Sequence, residues 1–349
     1  MSDISDKSIT LLKQCLFSIM EQIQLSNISF EGNNNVYLID DNDTTILIDT
    51  GEGTEKTLSR LREKLTDHDV TVSDIDYIFL THWHADHTGL AGHLQAESDA
   101  IVYAHAADAP LIQQDSDAWQ KMEQLQDRYL QEWGMPERKE EELRQFLDEN
   151  DVKGDAAEVR PIQDGDVFKF DSIELHTVHV SGHAAGLCLF ELNGSRDEVI
   201  AGDALLPTYT PNVGGADLRV DEPLRKYLNA LEYVTNADYT HVWPGHRDRI
   251  NNPAERANEI IEHHKERALR VLNVLDEHGP CDAWRVSDHL FGSLEKIHIL
   301  HGPGEAYAHL DHLERTGGVF RQGTKYVLSD QAQQLLSEDR IKAIDKFLD

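Results

Sequence analysis

Four side chains that commonly bind metal ions fall within six residues of one another in the segment 81–89. The segment reads Thr-His-Trp-His-Ala-Asp-His-Thr-Gly, and the four are His82, His84, Asp86 and His87. Side chains two residues apart point the same way while a chain is extended, which places His82 beside His84. Asp86 and His87 then turn toward a neighbouring point. Imidazole and carboxylate ligands together suit zinc, manganese or iron.

One loop cannot complete a hydrolytic metal site, so further ligands are expected at the ends of other strands. Three later segments present a ligand type directly after a glycine, where the backbone can turn tightly. They are Gly182-His183, Gly202-Asp203 and Gly245-His246. Each segment is weak evidence for a metal site when taken alone, but the order and spacing of the three after the first motif indicate one shared site.

The pattern H-x-H-x-D-H followed by G-H, G-D and P-G-H resembles the signature of the metallo-β-lactamase superfamily. The similarity runs from about residue 35 to residue 264 and resumes in the C-terminal part. The sequence T-H-W-H-x-D-H-T-G, with that C-terminal part, looks most like the branch that contains β-lactamase-like protein 2. The glyoxalase II thioesterases are more distant relatives.

The resemblance implies two divalent metal ions, expected to be Zn²⁺ with Mn²⁺ or Fe²⁺ as alternatives. The ligands of the first would be His82, His84 and His183. The ligands of the second would be Asp86, His87 and His246, and Asp203 would bridge the two ions. Asp49 matches an acid that supports such sites by orienting a ligand imidazole. Its alternative role is a turn residue that caps the following helix.

The predicted chemistry follows from the ligands. Two metal ions about 3.5–4 Å apart share a water and lower its pKa toward 7, so that a bridging hydroxide attacks a carbonyl or a phosphorus. A metal ion then stabilises the developing oxyanion. Asp86 and Asp203 are therefore the predicted catalytic carboxylates, and the sequence shows no obvious protein nucleophile.

Asp203 narrows the implied activity. β-Lactamases of this family usually have cysteine or serine at that position, whereas an aspartate is typical of its thioesterases, lactonases and phosphodiesterases. The favoured function is hydrolysis of a thioester or another small acyl substrate. The alternatives are a phosphodiesterase or endoribonuclease that uses the same metal ions, and a non-enzymatic winged-helix binding protein with a vestigial site.

The surrounding pattern predicts an α/β fold, an αββα sandwich of two face-to-face sheets with helices outside. Residues 36–39 and 46–49 predict a β-hairpin, and helical spacing predicts a helix over residues 57–65. Further strands are predicted over residues 77–80, 101–103, 167–168, 173–180, 187–192, 199–200 and 241–243. The metallo-β-lactamase domain is predicted over residues 1–264. A small winged-helix-like domain follows over residues 265–349, because two short predicted helices, over Trp284–Leu290 and Glu305–Arg315, precede a short hairpin there.

Residues 115–150 predict a helical hairpin inserted into the β-rich region. This insert is a lid or a wall that selects substrate, or else a packed elaboration or a dimer surface. Its aromatic residues Trp119, Tyr129 and Trp133 are candidate pocket walls. Trp83 and Tyr209 are further pocket candidates, each with core packing or a structural role as the alternative.

The composition is strongly acidic, with 64 Asp and Glu, 32 Lys and Arg, and a net charge of −32. The acids are dispersed and only 14 residues are lysine, which favours a salt-rich cytoplasm, as in halophilic archaea, over an ordinary acidic protein. Such a surface lacks the basic patch that nucleic-acid binding needs, so the expected partner is a small-molecule substrate.

The sequence favours a cytoplasmic location and no membrane partner. Its apolar runs are shorter than the ~20 residues that cross a bilayer, and residues 1–9 lack the features of a secretory signal. Cys15, Cys188 and Cys281 lie far apart and suggest no disulfide framework. Nothing in the sequence indicates the oligomeric state.

Overall fold

The computed structural model describes residues 20–27, 32–194, 197–338 and 346–347. The N-terminal segment 1–9 and Cys15 lie outside the described residues. Cys188 and Cys281 are buried free thiols. Within the described ranges, no helix combines the length and the apolar character that crossing a bilayer requires.

The first sheet has six strands in the order β1-β2-β3-β4-β5-β6. The strands are β1 Met20–Leu25, β2 Asn34–Asp41, β3 Thr44–Ile48, β4 Tyr77–Phe79, β5 Ile101–His105 and β6 Val159–Ile162. β1, β2 and β3 pair antiparallel, and β3 to β6 run parallel. This sheet contains the predicted β2–β3 hairpin.

The second sheet has five strands in the order β11-β10-β9-β8-β7. The strands are β7 Val167–Lys169, β8 Glu174–His179, β9 Cys188–Leu192, β10 Glu198–Gly202 and β11 His241–Pro244. β10 and β11 run parallel and the other neighbours run antiparallel. A separate hairpin joins β12 Val319–Gln322 to β13 Lys325–Leu328.

Helices cover the outer faces of both sheets. In chain order they are α1 Glu55–Thr66, α2 Ala85–Thr88, α3 Ala91–Ser98, α4 Ala109–Ile112, α5 Ser116–Glu132, α6 Glu137–Glu149, α7 Pro223–Asn236, α8 Pro253–His278, α9 Ala283–Phe291, α10 His298–Arg315 and α11 Asp330–Glu338. The predicted insert corresponds to α5 and α6.

The alternation of side chains along the strands builds the layers. In β2, Tyr37 and Ile39 face the second sheet and pack with Phe79 and Phe190, whereas Val36 and Leu38 face the helices outside. The rings of Phe79 and Phe190 meet edge to face at 5.6 Å between centroids. Since side chains alternate with a period of two, each central strand supplies both layers. The predicted αββα sandwich is confirmed.

The insert and the C-terminal region share one hydrophobic core. Leu130 and Trp133 of the insert are buried in the same cluster as Val286 and Leu313. The backbone N–H of Trp284 donates to the carbonyl of Trp133 at 2.9 Å. The predicted domain boundary after residue 264 falls inside α8, and the division into two domains stays a prediction.

Two differences from the predicted elements have physical explanations. The pattern misses β1 and β6, the edge strands of the first sheet. Pro161 interrupts the pattern in β6, but an edge strand tolerates proline because its missing N–H needs no partner there. α10 begins at His298 instead of the predicted Glu305 and contains Pro303. Burial of this first part of the helix outweighs its poor local propensity.

The net charge of −32 predicts that stability depends on salt. Molar potassium chloride shortens the Debye length from about 10 Å at 0.1 M to about 3 Å and so weakens acid–acid repulsion. The melting temperature is expected to rise between 0.1 M and multimolar salt in thermal melts. A parallel series in a neutral osmolyte separates screening from surface exclusion. A melting temperature that stays flat or falls would contradict the predicted adaptation to salt.

Candidate metal centre

Four strand ends meet along one edge of the sandwich and bring the predicted ligands together. The segment 81–87 follows β4 and begins α2, and His183 follows β8. Asp203 and His246 follow β10 and β11, which are parallel neighbours. Parallel strands end at the same edge of a sheet, so these two side chains arrive side by side.

His82, His84 and His183 form the first group of donor atoms. Nε2 of His82 lies 2.9 Å from Nδ1 of His84, and the same Nδ1 lies 3.1 Å from Nε2 of His183. His82 is fully buried, and His183 is nearly so.

Asp86, His87 and His246 form the second group, which is also buried. Oδ2 of Asp86 lies 3.4 Å from Nε2 of His246 and 3.7 Å from Nε2 of His87. Asp203 lies between the groups, with Oδ1 3.6 Å from Nε2 of His87 and Oδ2 3.6 Å from Nε2 of His183. The carboxylate therefore faces both groups, as a bridging ligand would.

The hydrogen bonds on the far side of the imidazoles fix which nitrogens face inward as lone pairs. Nε2 of His84 meets the carbonyl of Ala216 at 3.1 Å, and Nδ1 of His183 meets the carbonyl of Asn212 at 2.8 Å. A carbonyl only accepts, so both of these nitrogens carry the proton. The nitrogens that face each other at 3.1 Å are then both bare acceptors. Two lone pairs at this distance repel each other unless a cation lies between them. The donor set fits a divalent metal ion.

Asp49 lies behind the second group and contacts the imidazole of His87. Its carboxylate accepts from Nδ1 of His87 at 2.9 Å, and from the backbone N–H and the hydroxyl of Thr81 at 2.8 Å each. These contacts leave Nε2 of His87 facing the other two members of the second group, Asp86 and His246. Among the described residues, that nitrogen is buried and has no hydrogen-bond partner. The alternative role for Asp49, capping the next helix, is filled instead by Thr54, whose hydroxyl accepts from the N–H of Thr57.

Replacement of Asp49 by asparagine is expected to weaken metal binding 10- to 100-fold, because supporting partners of ligand histidines typically contribute that much. The asparagine amide cannot both accept from Thr81 and hold His87 in the same tautomer. Equilibrium dialysis against buffered Zn²⁺ measures the effect. Thr54→Ala is the control, since it removes the helix cap and is expected to leave metal affinity unchanged. Equal affinity in Asp49→Asn and the parent protein would contradict the supporting role.

The electrostatics differ between the two groups. Burial lowers the pKa of His82 well below its usual value and that of His84 to about 3, so both are neutral and able to bind metal. Burial would also lower the pKa of His87, but Asp86, Asp203 and Asp49 outweigh it and raise the pKa to about 10. The carboxylate-rich group therefore attracts positive charge, which a metal ion would supply in place of the proton.

A cavity of about 1190 Å³ opens onto the centre, and its lining includes His84, Asp86, His183, Asp203 and His246. The insert contributes Trp119, Met122 and Leu147 to its walls, and the C-terminal region contributes Phe291, Leu294 and Leu300. Trp83 is also among the residues that line the cavity.

Three predicted wall residues lie elsewhere. Tyr209 is 46% exposed and lies under the guanidinium of Arg247 at 4.6 Å, while its neighbours Thr210 and Pro211 line the cavity. Tyr129 and Trp133 pack on Tyr307 in the shared core, with centroid distances of 5.2 and 5.8 Å. The helical stripe of the insert is therefore mainly a packing face, because its large aromatics bind the C-terminal region.

Several residues around the centre carry no motif that sequence analysis could detect. Asn34 donates from its side-chain amide to the carbonyl of Asp86 at 2.8 Å and to its carboxylate at 3.1 Å. Asp217 accepts from the indole N–H of Trp83 at 3.0 Å and from the backbone N–H of Ala185 at 2.9 Å. Such contacts come from loops distant in sequence, so only the folded chain reveals them.

This fold and this arrangement of histidines and aspartates define a class, and the sequence comparison agrees with it. The chain belongs to the metallo-beta-lactamase superfamily, whose family profile matches residues 30–246. The matched span contains every predicted metal ligand. It is a metal-dependent hydrolase family, as the metallo-hydrolase and thioesterase names of its relatives indicate.

The chain is similar to several curated proteins. It is 29% identical to the probable metallo-hydrolase YqjP of Bacillus subtilis over 80% of this chain and 87% of that protein. It is 25% identical to the beta-lactamase-like protein 2 homolog of Caenorhabditis elegans over 74% of this chain and 70% of that protein. The fungal relatives are longer, and the matches span 55–60% of their length. Among them, thioesterase pkgB of Emericella nidulans is 27% identical over 70% of this chain.

The fold is also similar to a solved structure along nearly its whole length. The metallo-beta-lactamase family protein TTHA1429 from Thermus thermophilus superposes with a TM-score of 0.77 at 27% sequence identity. The alignment covers 90% of this chain and 100% of that one. The shared architecture therefore includes the C-terminal region as well as the sandwich.

Proposed function

We propose that the protein is a dinuclear metal hydrolase, most consistent with Zn²⁺, that acts on a thioester or another small acyl substrate. The observation that carries the proposal is the grouping of seven donor side chains beside a cavity whose lining includes five of them together with several apolar side chains. The ligands would be His82, His84 and His183 for one ion, Asp86, His87 and His246 for the other, and Asp203 for both. Mn²⁺ and Fe²⁺ remain alternatives because they accept the same ligands.

The walls of the cavity favour an acyl group over a polyanion. Trp83, Trp119 and Phe291 offer apolar surface to a carbon chain. The cationic side chains Arg144, Lys153 and Arg267 in the walls each have a carboxylate partner, at 2.8, 3.2 and 2.6 Å respectively. A phosphodiester substrate would have to displace these carboxylates, and the overall charge of −32 would repel it.

The chain's own residues account for binding and proton handling. Bound divalent ions would activate a water molecule and polarise the substrate carbonyl. Burial would raise the pKa values of Asp86 and Asp203, but the neighbouring histidines outweigh it and keep both pKa values low, so both carboxylates are ionised at the centre. Oδ1 of Asp203 is buried without a hydrogen-bond partner among the described residues, so it is free to accept a proton or bind an ion.

The thioesterase name of one relative and the metallo-hydrolase name of another support this ranking. The cytoplasmic location and the winged-helix character of the C-terminal region belong to the proposal as predictions. The winged helix is proposed to be structural, because α9 and α10 pack into the shared core and line the cavity.

A side-by-side assay tests the substrate class. Purified, metal-loaded protein is expected to hydrolyse members of an acyl-thioester panel and to leave single-stranded RNA intact, at both low and molar potassium chloride. Asp203→Ala is the control for contaminating hydrolases. Efficient RNA cleavage at molar salt without thioester turnover would overturn the proposed substrate class in favour of a ribonuclease.

The acyl-binding role of the cavity walls is tested by substitution. Deletion of the insert would disrupt the shared core, because Leu130, Trp133 and Leu143 of the insert are buried there. Trp119→Ala is expected to reduce kcat/KM for long-chain thioesters more than for acetyl thioesters, while metal content stays the same. The matched variant Trp243→Ala changes a tryptophan that packs on Tyr37 between the sheets, away from the cavity. An equal loss for short and long chains in Trp119→Ala would contradict the acyl-binding wall.

A further inference from the structure

We propose that helix α10 of the C-terminal region is a positioning element for one half of the metal centre, and that it acts through the loop 212–217. This inference rests on the proposed metal centre and deepens it. It assigns Gly304 and Glu305 as the positioning residues, although neither touches a proposed ligand.

The loop 212–217 holds both imidazoles that face each other in the first group. Its Asn212 carbonyl accepts from Nδ1 of His183 at 2.8 Å, and its Ala216 carbonyl accepts from Nε2 of His84 at 3.1 Å. Its Asp217 carboxylate accepts from the backbone N–H of Ala185, two residues after His183, at 2.9 Å. The orientation of two ligands therefore depends on where this loop lies.

α10 fixes the loop by hydrogen bonds. Oε2 of Glu305 accepts from the backbone N–H of Val213 at 3.1 Å and from the side-chain amide of Asn212 at 3.3 Å. The same amide donates to the carbonyl of His301 at 3.1 Å. Oε1 of Glu305 accepts from Arg267 at 2.6 Å, which holds the carboxylate in place and compensates its buried charge.

α10 and the loop also touch through glycine backbones. A Cβ at Gly304 would lie 2.3 Å from Cα and 2.5 Å from N of Gly215. These atoms belong to the backbone, so no side-chain rotation relieves the overlap. The contact explains why α10 contains a glycine at a position where helix propensity disfavours it.

The second half of the centre is held by different elements. Asp49 holds His87, and Asn34 holds the backbone and carboxylate of Asp86. Neither contact involves α10 or the loop 212–217. A displacement of α10 should therefore weaken metal binding at the group of His82, His84 and His183 and spare the other group.

Half-site variants test this asymmetry. His246→Ala disables the second group, and His183→Ala disables the first. Gly304→Ala is added to each, and the metal-free proteins are titrated with Co²⁺ while its absorption is recorded. Gly304→Ala is expected to weaken Co²⁺ binding at least about tenfold in the His246→Ala background, the size expected for a lost supporting contact. In the His183→Ala background it is expected to change binding less than about twofold, because the group left there is held by Asp49 and Asn34.

Gly302→Ala is the matched control on the same helix. A Cβ there would meet the flexible side chains of Leu294 and Ser287, not the loop, so Co²⁺ affinity is expected to persist. Glu305→Ala removes the hydrogen bonds without a clash and is expected to reproduce the Gly304→Ala result. Glu305→Gln keeps an acceptor oxygen for Val213 and is expected to restore binding. These two variants test the proposal if Gly304→Ala fails to fold, which circular dichroism would reveal.

The outcomes separate this inference from the proposed function. If the parent protein binds two equivalents of Co²⁺ and the Gly304 and Glu305 variants weaken both groups equally or neither, the role of α10 is overturned and the metal centre stands. If the parent protein binds no Co²⁺ at all, the proposed metal centre falls and the inference with it.

Discussion

Asp203→Ala is expected to release both metal ions and to reduce hydrolysis by about 10³-fold or more. Oδ1 of Asp203 lies 3.6 Å from Nε2 of His87, and Oδ2 lies 3.4 Å from Nε2 of His246 and 3.6 Å from Nε2 of His183. Among the described residues, no other carboxylate lies close to donor atoms of both the first and the second group. Its removal would therefore deprive both proposed ions of a negatively charged ligand at once.

The measurement is metal content by elemental analysis after gel filtration, together with the rate of thioester hydrolysis. His82→Ala is expected to abolish hydrolysis while the second group retains an ion, so the two variants should differ in stoichiometry. Asp43→Ala makes the same chemical change at an exposed turn and is expected to behave like the parent protein. Full activity in metal-free protein would refute the metal-dependent mechanism. Two tightly held ions in Asp203→Ala would refute the bridging role of this carboxylate.

The proposed ligands could be read from the sequence because their chemistry is local. His82, His84, Asp86 and His87 are close in the chain, and His183, Asp203 and His246 each follow a glycine at a strand end. Strand ends are predictable from alternating apolar residues, and parallel neighbours such as β10 and β11 bring their ends to one edge. The sequence thus contained both the ligand types and the scaffold that gathers them.

The supporting contacts could not be predicted, since they depend on tertiary packing. The Asn212 and Ala216 carbonyls act through backbone atoms, which any residue type would provide. Glu305 is one of 64 acids, and only its burial against the loop 212–217 distinguishes it. The positions of the aromatic residues of the insert could not be predicted for the same reason. A helical stripe does not show whether it faces a cavity or another helix.

Substitution of Arg219 is the second change that is expected to have a large effect, in this case on the stability of the protein. Its guanidinium donates to Asp217 at 2.6 and 2.9 Å, to Asp108 at 2.7 Å and to the Ala107 carbonyl at 2.6 Å. Both aspartates are fully buried or nearly so. Burial raises the pKa of Asp108 to about 6 even though Arg219 opposes the shift. Two buried carboxylates therefore depend on one cation.

Arg219→Ala is expected to destabilise the protein by about 3–5 kcal/mol, since removal of one partner leaves buried charges uncompensated. In a chain of this size the melting temperature should fall on the order of 10 °C. The loss also reaches the metal centre, because Asp217 holds the indole of Trp83 and Asp108 accepts from the Trp83 backbone N–H at 3.1 Å. Arg219→Lys is expected to rescue only part of the loss, because lysine lacks the planar fork that serves two carboxylates.

Thermal melts of metal-free and metal-loaded protein measure this loss of stability and show whether it depends on bound metal. Arg225→Ala is the control, since Arg225 pairs with Glu222 at the surface, where ion pairs contribute little. The Arg219 variant is expected to melt lower in both states, because the buried aspartates are uncompensated whether or not metal is bound. The double variant Asp108→Asn with Arg219→Ala should recover only part of the stability, since the buried carboxylate of Asp217 still lacks its cation. A melting temperature for Arg219→Ala equal to that of Arg225→Ala would show that the buried carboxylates do not depend on this cation.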